Sequence, residues 1–219
     1  MTIPSTKRPN HSNPVQGRRL GRVGGILLLG SGIALVAYRM VEGLGAAGVI
    51  SSASAALGLT LTASFLLEGA GAALVSLAGP PPLDGRATRL GLALVAVGQL
   101  GMMAAILGLR ATLGRGGSEP AEALTSAVFL APVAGILVIG LSLVRGSRRS
   151  RVVGLCLLAS LVGVVIGPAG DALGLAGLLT SSLRLLDDGL FLIGVVGLGI
   201  LAIGGDRAVL PVRRPGATE

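Results

Sequence analysis

The sequence predicts an all-α, polytopic membrane protein of six transmembrane helices, arranged as three tandem two-helix hairpins with both termini cytoplasmic. Three observations carry that expectation. Charged residues make up only 13% of the chain, about half the share of an ordinary soluble domain, and the mean hydropathy is +0.84. Most of those charges fall between apolar runs near the roughly 20 residues that a bilayer crossing requires. Finally, one short phrase recurs three times at nearly constant spacing.

Residues 1–22, "MTIPSTKRPNHSNPVQGRRLGR", are polar, rich in Pro and Asn, and basic, and they read as a disordered cytoplasmic tail. With the apolar run that follows they imitate a signal peptide, but the repeat described below makes that run the first membrane helix. The six spans fall at about 23–37, 60–79, 90–109, 123–144, 152–169 and 186–204, within a transmembrane domain of 23–206. Residues 207–219 form a second cytoplasmic tail. The apolar stretches 43–58 and 172–183 lie outside the spans and read as interfacial or re-entrant segments.

Arginine placement predicts orientation. The N-terminal tail, the 80–89 loop, the 145–151 loop and the C-terminal tail hold 5, 2, 4 and 3 Lys or Arg, whereas the opposite side holds only Arg39, Arg110, Arg115 and Arg184. Cytoplasmic loops carry the excess of basic residues, so the termini belong inside, in the cell's inner (plasma) membrane. The same clusters, "RGSRRSR" above all, suit anionic lipid headgroups. A net charge of +8 with one Tyr, three Phe and no Trp therefore points to lipid, and nucleic acid is not an expected partner.

The three phenylalanines each open a similar phrase: "FLLEGAG" from Phe65, "FLAPVAG" from Phe129 and "FLIGVVG" from Phe191. They stand 64 and 62 residues apart, and Arg22, Arg89 and Arg151 precede them by 43, 40 and 40 residues. Such a period marks a repeat architecture, with units at about 20–79, 87–144 and 149–206. Each unit has two spans, so the copies share one orientation. Phe65 with Gly71, Phe129 with Gly135, and Phe191 with Gly197 then define a shared packing face, because lipid-facing positions accept any apolar residue.

Three two-helix repeats, basic inner linkers and F-L-x-x-x-x-G in the even helices resemble the acid-resistance membrane protein family (HdeD-like) over most of residues 20–206. That resemblance implies a small six-helix inner-membrane protein without established catalysis, and it supplies no functional residue.

Two polar groups interrupt the apolar pattern. Glu68 falls near the middle of the second span, where a charge is costly. It lies between Phe65 and Gly71 on one helical arc, so it is expected to face protein. Gln99, at matching depth in the third span, is its natural hydrogen-bond partner. Two roles stand open: a neutral hydrogen bond joining helices, or a carboxylate coupled to proton or cation movement. Asp171 follows Gly167 and Pro168, which are expected to break the fifth helix. It would stand at an outer rim with Arg39 and Arg110, either as an ion pair or as part of a vestibule.

Other chemistries are excluded or weakly supported. The single His11 and single Lys7 lie in the tail, which removes intramembrane haem or zinc ligation by His and retinal attachment. Cys156 has no disulfide partner and reads as a small buried hydrophobe. "DGRATR" (84–89) resembles the start of the CDP-alcohol phosphotransferase signature, but the following run lacks the further aspartates needed to hold metal. "PAGD" resembles an intramembrane aspartyl protease loop, but no second aspartate is expected inside a span. "GPPPLDG" reads as an extended polyproline spacer. No catalytic residues, cofactor or metal are therefore expected. Two functions remain: a non-enzymatic accessory component, working with other membrane subunits or as a homo-oligomer, or a small transporter or channel.

Overall fold

An apolar run in hydrocarbon must pair every backbone N–H and C=O within itself, which favours helix over any open structure. The computed structural model follows that rule. Its six helices are α1 (Pro14–Ala46), α2 (Ala53–Ala78), α3 (Arg86–Thr112), α4 (Glu119–Val144), α5 (Arg148–Ala172) and α6 (Leu178–Gly204). The structure describes residues 14–49, 53–112, 119–172 and 178–204, with side chains described outside 14, 46, 53–55, 106–127 and 163–185. No strand occurs among the described residues. Among the described residues, four helical stretches are long and apolar enough to cross a membrane: Val15–Gly45, Ala56–Ala78, Arg86–Ala105 and Leu186–Gly204, with a shorter one at Val128–Val144.

Several boundaries differ from the sequence expectation. Helix α1 begins at Pro14 rather than after a disordered 1–22 tail. Proline suits a first helical position, since its missing N–H would be unpaired there anyway. Residues 43–46 and 53–58 extend α1 and α2 instead of forming separate interfacial segments, which keeps their backbone bonds internal. Helix α5 continues past Gly167 and Pro168 to Ala172, since proline's φ is compatible with helix and only local bonds are lost. Of 172–183, residues 173–177 lie outside the described residues.

The "GPPPLDG" linker is a turn, not an extended spacer. Gly79, at φ +53°, ends α2 in the left-handed conformation that glycine adopts without a Cβ clash. Its N–H bonds to Val75 O at 2.9 Å, and Leu83 N–H closes on Pro80 O at 2.6 Å. The reversal carries the Leu83 side chain into full burial. Arg89 then reaches back to α2, donating from Nε to Ser76 O at 2.7 Å. Arg151 repeats this one hairpin later, from Nε to Val144 O at 3.2 Å. Basic side chains thus satisfy carbonyls that helix ends leave open.

Each helix packs on its neighbours in the chain, and α6 returns to α1, so the six helices close a ring. The glycine six residues beyond each Phe packs on the residue two beyond each linker arginine. A Cβ on Gly71 would meet Gly24 O at 2.9 Å, one on Gly135 would meet Gly91 O at 2.6 Å, and one on Gly197 would meet Val153 Cγ2 at 2.6 Å. Buried Leu28, Val75, Leu92, Ile139, Leu143 and Leu157 join Leu83 in a core displaced toward the basic linkers. Large apolar side chains on all six helices, among them Ile33, Leu59, Val97, Leu130, Leu155 and Ile200, are exposed. An outward apolar surface over a Gly-rich interior is what lipid demands, since packing rather than water exclusion holds such helices together.

Candidate functional site

The half of the ring away from the basic linkers holds a cavity between its described side chains. Its volume is about 360 Å³, and all six helices contribute to its wall. Its apolar lining is Leu35 (α1), Phe65 (α2), Met102 (α3), Phe129, Pro132, Val133 and Ile136 (α4), Leu161 (α5) and Phe191 (α6). Its polar lining is Arg39, Gln99, Ser160, Asp187 and Asp188. The shared face of the three phrases is therefore divided: its glycines make the close helix contacts, and its three phenylalanines turn to the chamber. The sequence expectation gave both to packing, because spacing fixes a common arc but not what fills the space opposite it.

Glu68 is 4% exposed and Gln99 7%, and a side-chain hydrogen bond joins them across α2 and α3. Glu68 faces protein, and it is absent from the chamber wall, where Gln99 stands instead. Gly69, beside it, is the close-approach point: a Cβ there would meet Leu100 Cγ at 2.8 Å. At the matching place in the second phrase, Pro132 packs on Gly98, and in the third Gly194 accepts Leu157.

Arg39 ends in a bifurcated pair. Its Nη1 lies 2.6 Å from Glu42 Oε2, and its Nη2 lies 2.6 Å from Asp188 Oδ2 and 2.8 Å from Oδ1. The second contact bridges α1 and α6, where the ring closes. Of the expected outer-rim trio, the side chains of Asp171 and Arg110 lie outside the described residues, and Arg39 pairs with Asp188 and Glu42. Asp187 and Asp188 lie within α6, against the expectation that the spans hold no further aspartate. Their signal was legible, since two adjacent acids just inside a span from 186 are as unusual as Glu68. A second groove of about 300 Å³ runs along the α1–α6 seam and shares Leu35, Arg39 and Asp188 with the chamber.

Charge differs between the two ends. The three connections on the chamber side, with the adjoining helix ends, carry Glu42, Glu119, Glu122, Asp171, Asp187 and Asp188 against Arg39, Arg110, Arg115 and Arg184. In sequence these segments thus hold six acids against four arginines, in contrast to the basic linkers. Ser160 is buried, lines the chamber and donates to Leu157 O at 2.9 Å. Ser31, nine residues beyond Arg22 as Ser160 is beyond Arg151, is equally buried but lies outside the wall. Cys156 is half-buried rather than buried, because its position on α5 turns partly outward. No group of three or more His, Cys, Asp or Glu among the described residues is placed to hold a metal.

No protein-family model, curated protein or solved structure matches this chain.

Proposed function

We propose that this is a non-enzymatic, six-pass membrane protein that binds a small solute in the chamber enclosed by its helix ring, as a carrier or receptor-like component. Three tandem hairpins with cytoplasmic termini form the ring, and the chamber faces the opposite side of an inner (plasma) membrane. One observation carries the reading: every helix contributes to a single cavity of about 360 Å³, the scale of small-molecule sites, which are largely apolar with a few placed polar groups. The recurring Gly contacts and the arginine caps at Arg89 and Arg151 support the triplication. The packed core toward the basic linkers favours a one-sided chamber over an open channel. Glu68, behind the wall, serves this reading as the group that holds Gln99 in place, not as a directly accessible coupling carboxylate. The resemblance to HdeD-like proteins is compatible with the hairpin arrangement and assigns no solute.

The accessory-component reading keeps one supporting observation. Gly189 in the α1–α6 groove would admit a Cβ with no contact within 4 Å, leaving room for a helix of another subunit.

Cysteine accessibility tests the chamber. In a Cys156→Ala background, Ser160→Cys should react with a small membrane-impermeant thiosulfonate added to the non-cytoplasmic side, while Ser31→Cys should not. Equal, negligible labelling of both would remove the chamber as a solute site. Labelling of Ser160→Cys only from the side of the termini would reverse the proposed orientation.

A further inference from the structure

We propose that the chamber's ligand is an organic monocation with an apolar body, its charge taken by Asp188 and its body by the three phenylalanines. The inference rests on the chamber being a solute site, and it adds the chemical class.

The wall excludes most alternatives. A bare metal cation needs a cage of about six or more oxygen ligands, whereas the described wall is chiefly Leu, Met, Phe, Pro, Val and Ile. Among the described lining, an anion would meet two aspartates and one cation, Arg39, whose guanidinium already holds Asp188 and Glu42. A neutral apolar molecule would engage the phenylalanines but make no use of Asp188, which lines both the chamber and the groove. Phe65, Phe129 and Phe191 come from three different hairpins and meet at one cavity. Aromatic faces attract cations, most strongly when the site is desolvated.

Arg39 makes the exchange feasible. It is shared between two carboxylates, so a ligand cation that takes Asp188 leaves Arg39 still paired with Glu42. The pair it displaces is partly exposed, with side chains 41% and 27% accessible, and such pairs are weakly held. The groove along the α1–α6 seam meets the chamber at this same pair. Its other lining includes Val36 and Met40, both exposed, which gives an apolar body a route in from the bilayer.

The test uses the full-length protein in lipid nanodiscs, titrated calorimetrically with benzyltrimethylammonium and with its neutral carbon isostere, neopentylbenzene. The cation should bind at least tenfold tighter. Asp188→Asn should weaken it tenfold or more, Asp188→Glu should restore most of the affinity, and Phe191→Ala should weaken it several-fold. Asp84→Asn, in the exposed linker at the far end, should leave binding unchanged. Thermal melting of each variant separates binding loss from misfolding, and rescue by Asp188→Glu keeps the result interpretable if Asp188→Asn melts early. Equal binding of cation and isostere, both abolished by filling the chamber with Val133→Trp, would overturn the cation assignment and leave the solute chamber standing. Failure of both probes to bind at millimolar concentration, or binding indifferent to Val133→Trp, would overturn both.

Discussion

Gly135→Ala is the sharpest probe of the ring, because a single methyl group must enter where two backbones nearly touch. A Cβ at Gly135 would lie 2.6 Å from Gly91 O, about 0.8 Å inside the 3.4 Å at which ordinary contact begins, and 2.9 Å from Val95 N. Both obstacles are main chain, so no rotamer change relieves them and α3 must move off α4. A gap of 0.5–1 Å forfeits roughly a quarter to a half of each dispersion contact along the seam, and overpacking of this kind costs about 1–3 kcal/mol. The expected loss is about 2 kcal/mol, equivalent to roughly 4–8 °C in melting temperature for a chain of this size. Gly43→Ala is the control: nothing lies within 4 Å of a Cβ there, and alanine favours helix by about 1 kcal/mol, so melting should hold or rise. Thermal melting of detergent-solubilised protein, followed by size-exclusion recovery, reads both. A Gly135→Ala protein that melts within 1 °C of the parent, or a Gly43→Ala protein that falls equally, would refute the close-packed seam.

Two further outcomes test the polar contacts. In a double-mutant cycle, Glu68→Leu and Gln99→Leu should each lower melting, with a coupling of about 1 kcal/mol, while Glu68→Gln keeps a hydrogen bond and stays near the parent; additive losses would show that the pair does not interact. Arg89→Ala removes donors to Ser76 O and Leu77 O and should cost about 1–2 kcal/mol, seen as faster hydrogen exchange at the C-terminal end of α2; unchanged exchange there would deny the cap.

The apolar runs made the helix content legible, since the length and hydropathy of a run are enough to favour helix. Glu68 and Gln99 could be paired from the sequence because few polar groups share that depth, and a buried carboxyl needs a partner. Asp188 was missed as Arg39's partner because the two lie on α1 and α6, and ring closure leaves no mark in a one-dimensional pattern. The chamber was missed for a related reason. A periodic pattern assigns a residue to the interior, but whether that interior is filled depends on how six helices converge. Helix ends were legible where a glycine or arginine marks them, as at Gly79 beyond α2 and Arg145 beyond α4. The start at Pro14 was hidden under tail-like composition.

The helix pairs α1–α2, α3–α4 and α5–α6 share one kind of close contact and differ where they meet. Inside each, the glycine six residues beyond the Phe closes on the residue two beyond the linker arginine, which sets a common interhelical approach. The seams between hairpins are each built differently. The α2–α3 seam carries the buried Glu68–Gln99 bond. The α4–α5 seam is glycine on glycine, with a Cβ on Gly154 meeting Gly140 O at 2.7 Å. The α6–α1 seam is glycine-tight near the basic end, where a Cβ on Gly25 would meet Gly199 O at 2.8 Å, and at the chamber end it is held by the exposed Arg39–Asp188 pair. A buried hydrogen bond in a membrane interior lacks water to replace it, whereas an exposed ion pair exchanges readily with solvent or another ion. Among the described contacts, the chamber end of the α6–α1 seam is the one held by an exposed ion pair, where the outer groove meets the cavity. Glu68 thus joins Gln99 across the α2–α3 seam behind the chamber wall, while the Arg39–Asp188 pair closes the α6–α1 seam where the groove meets the cavity.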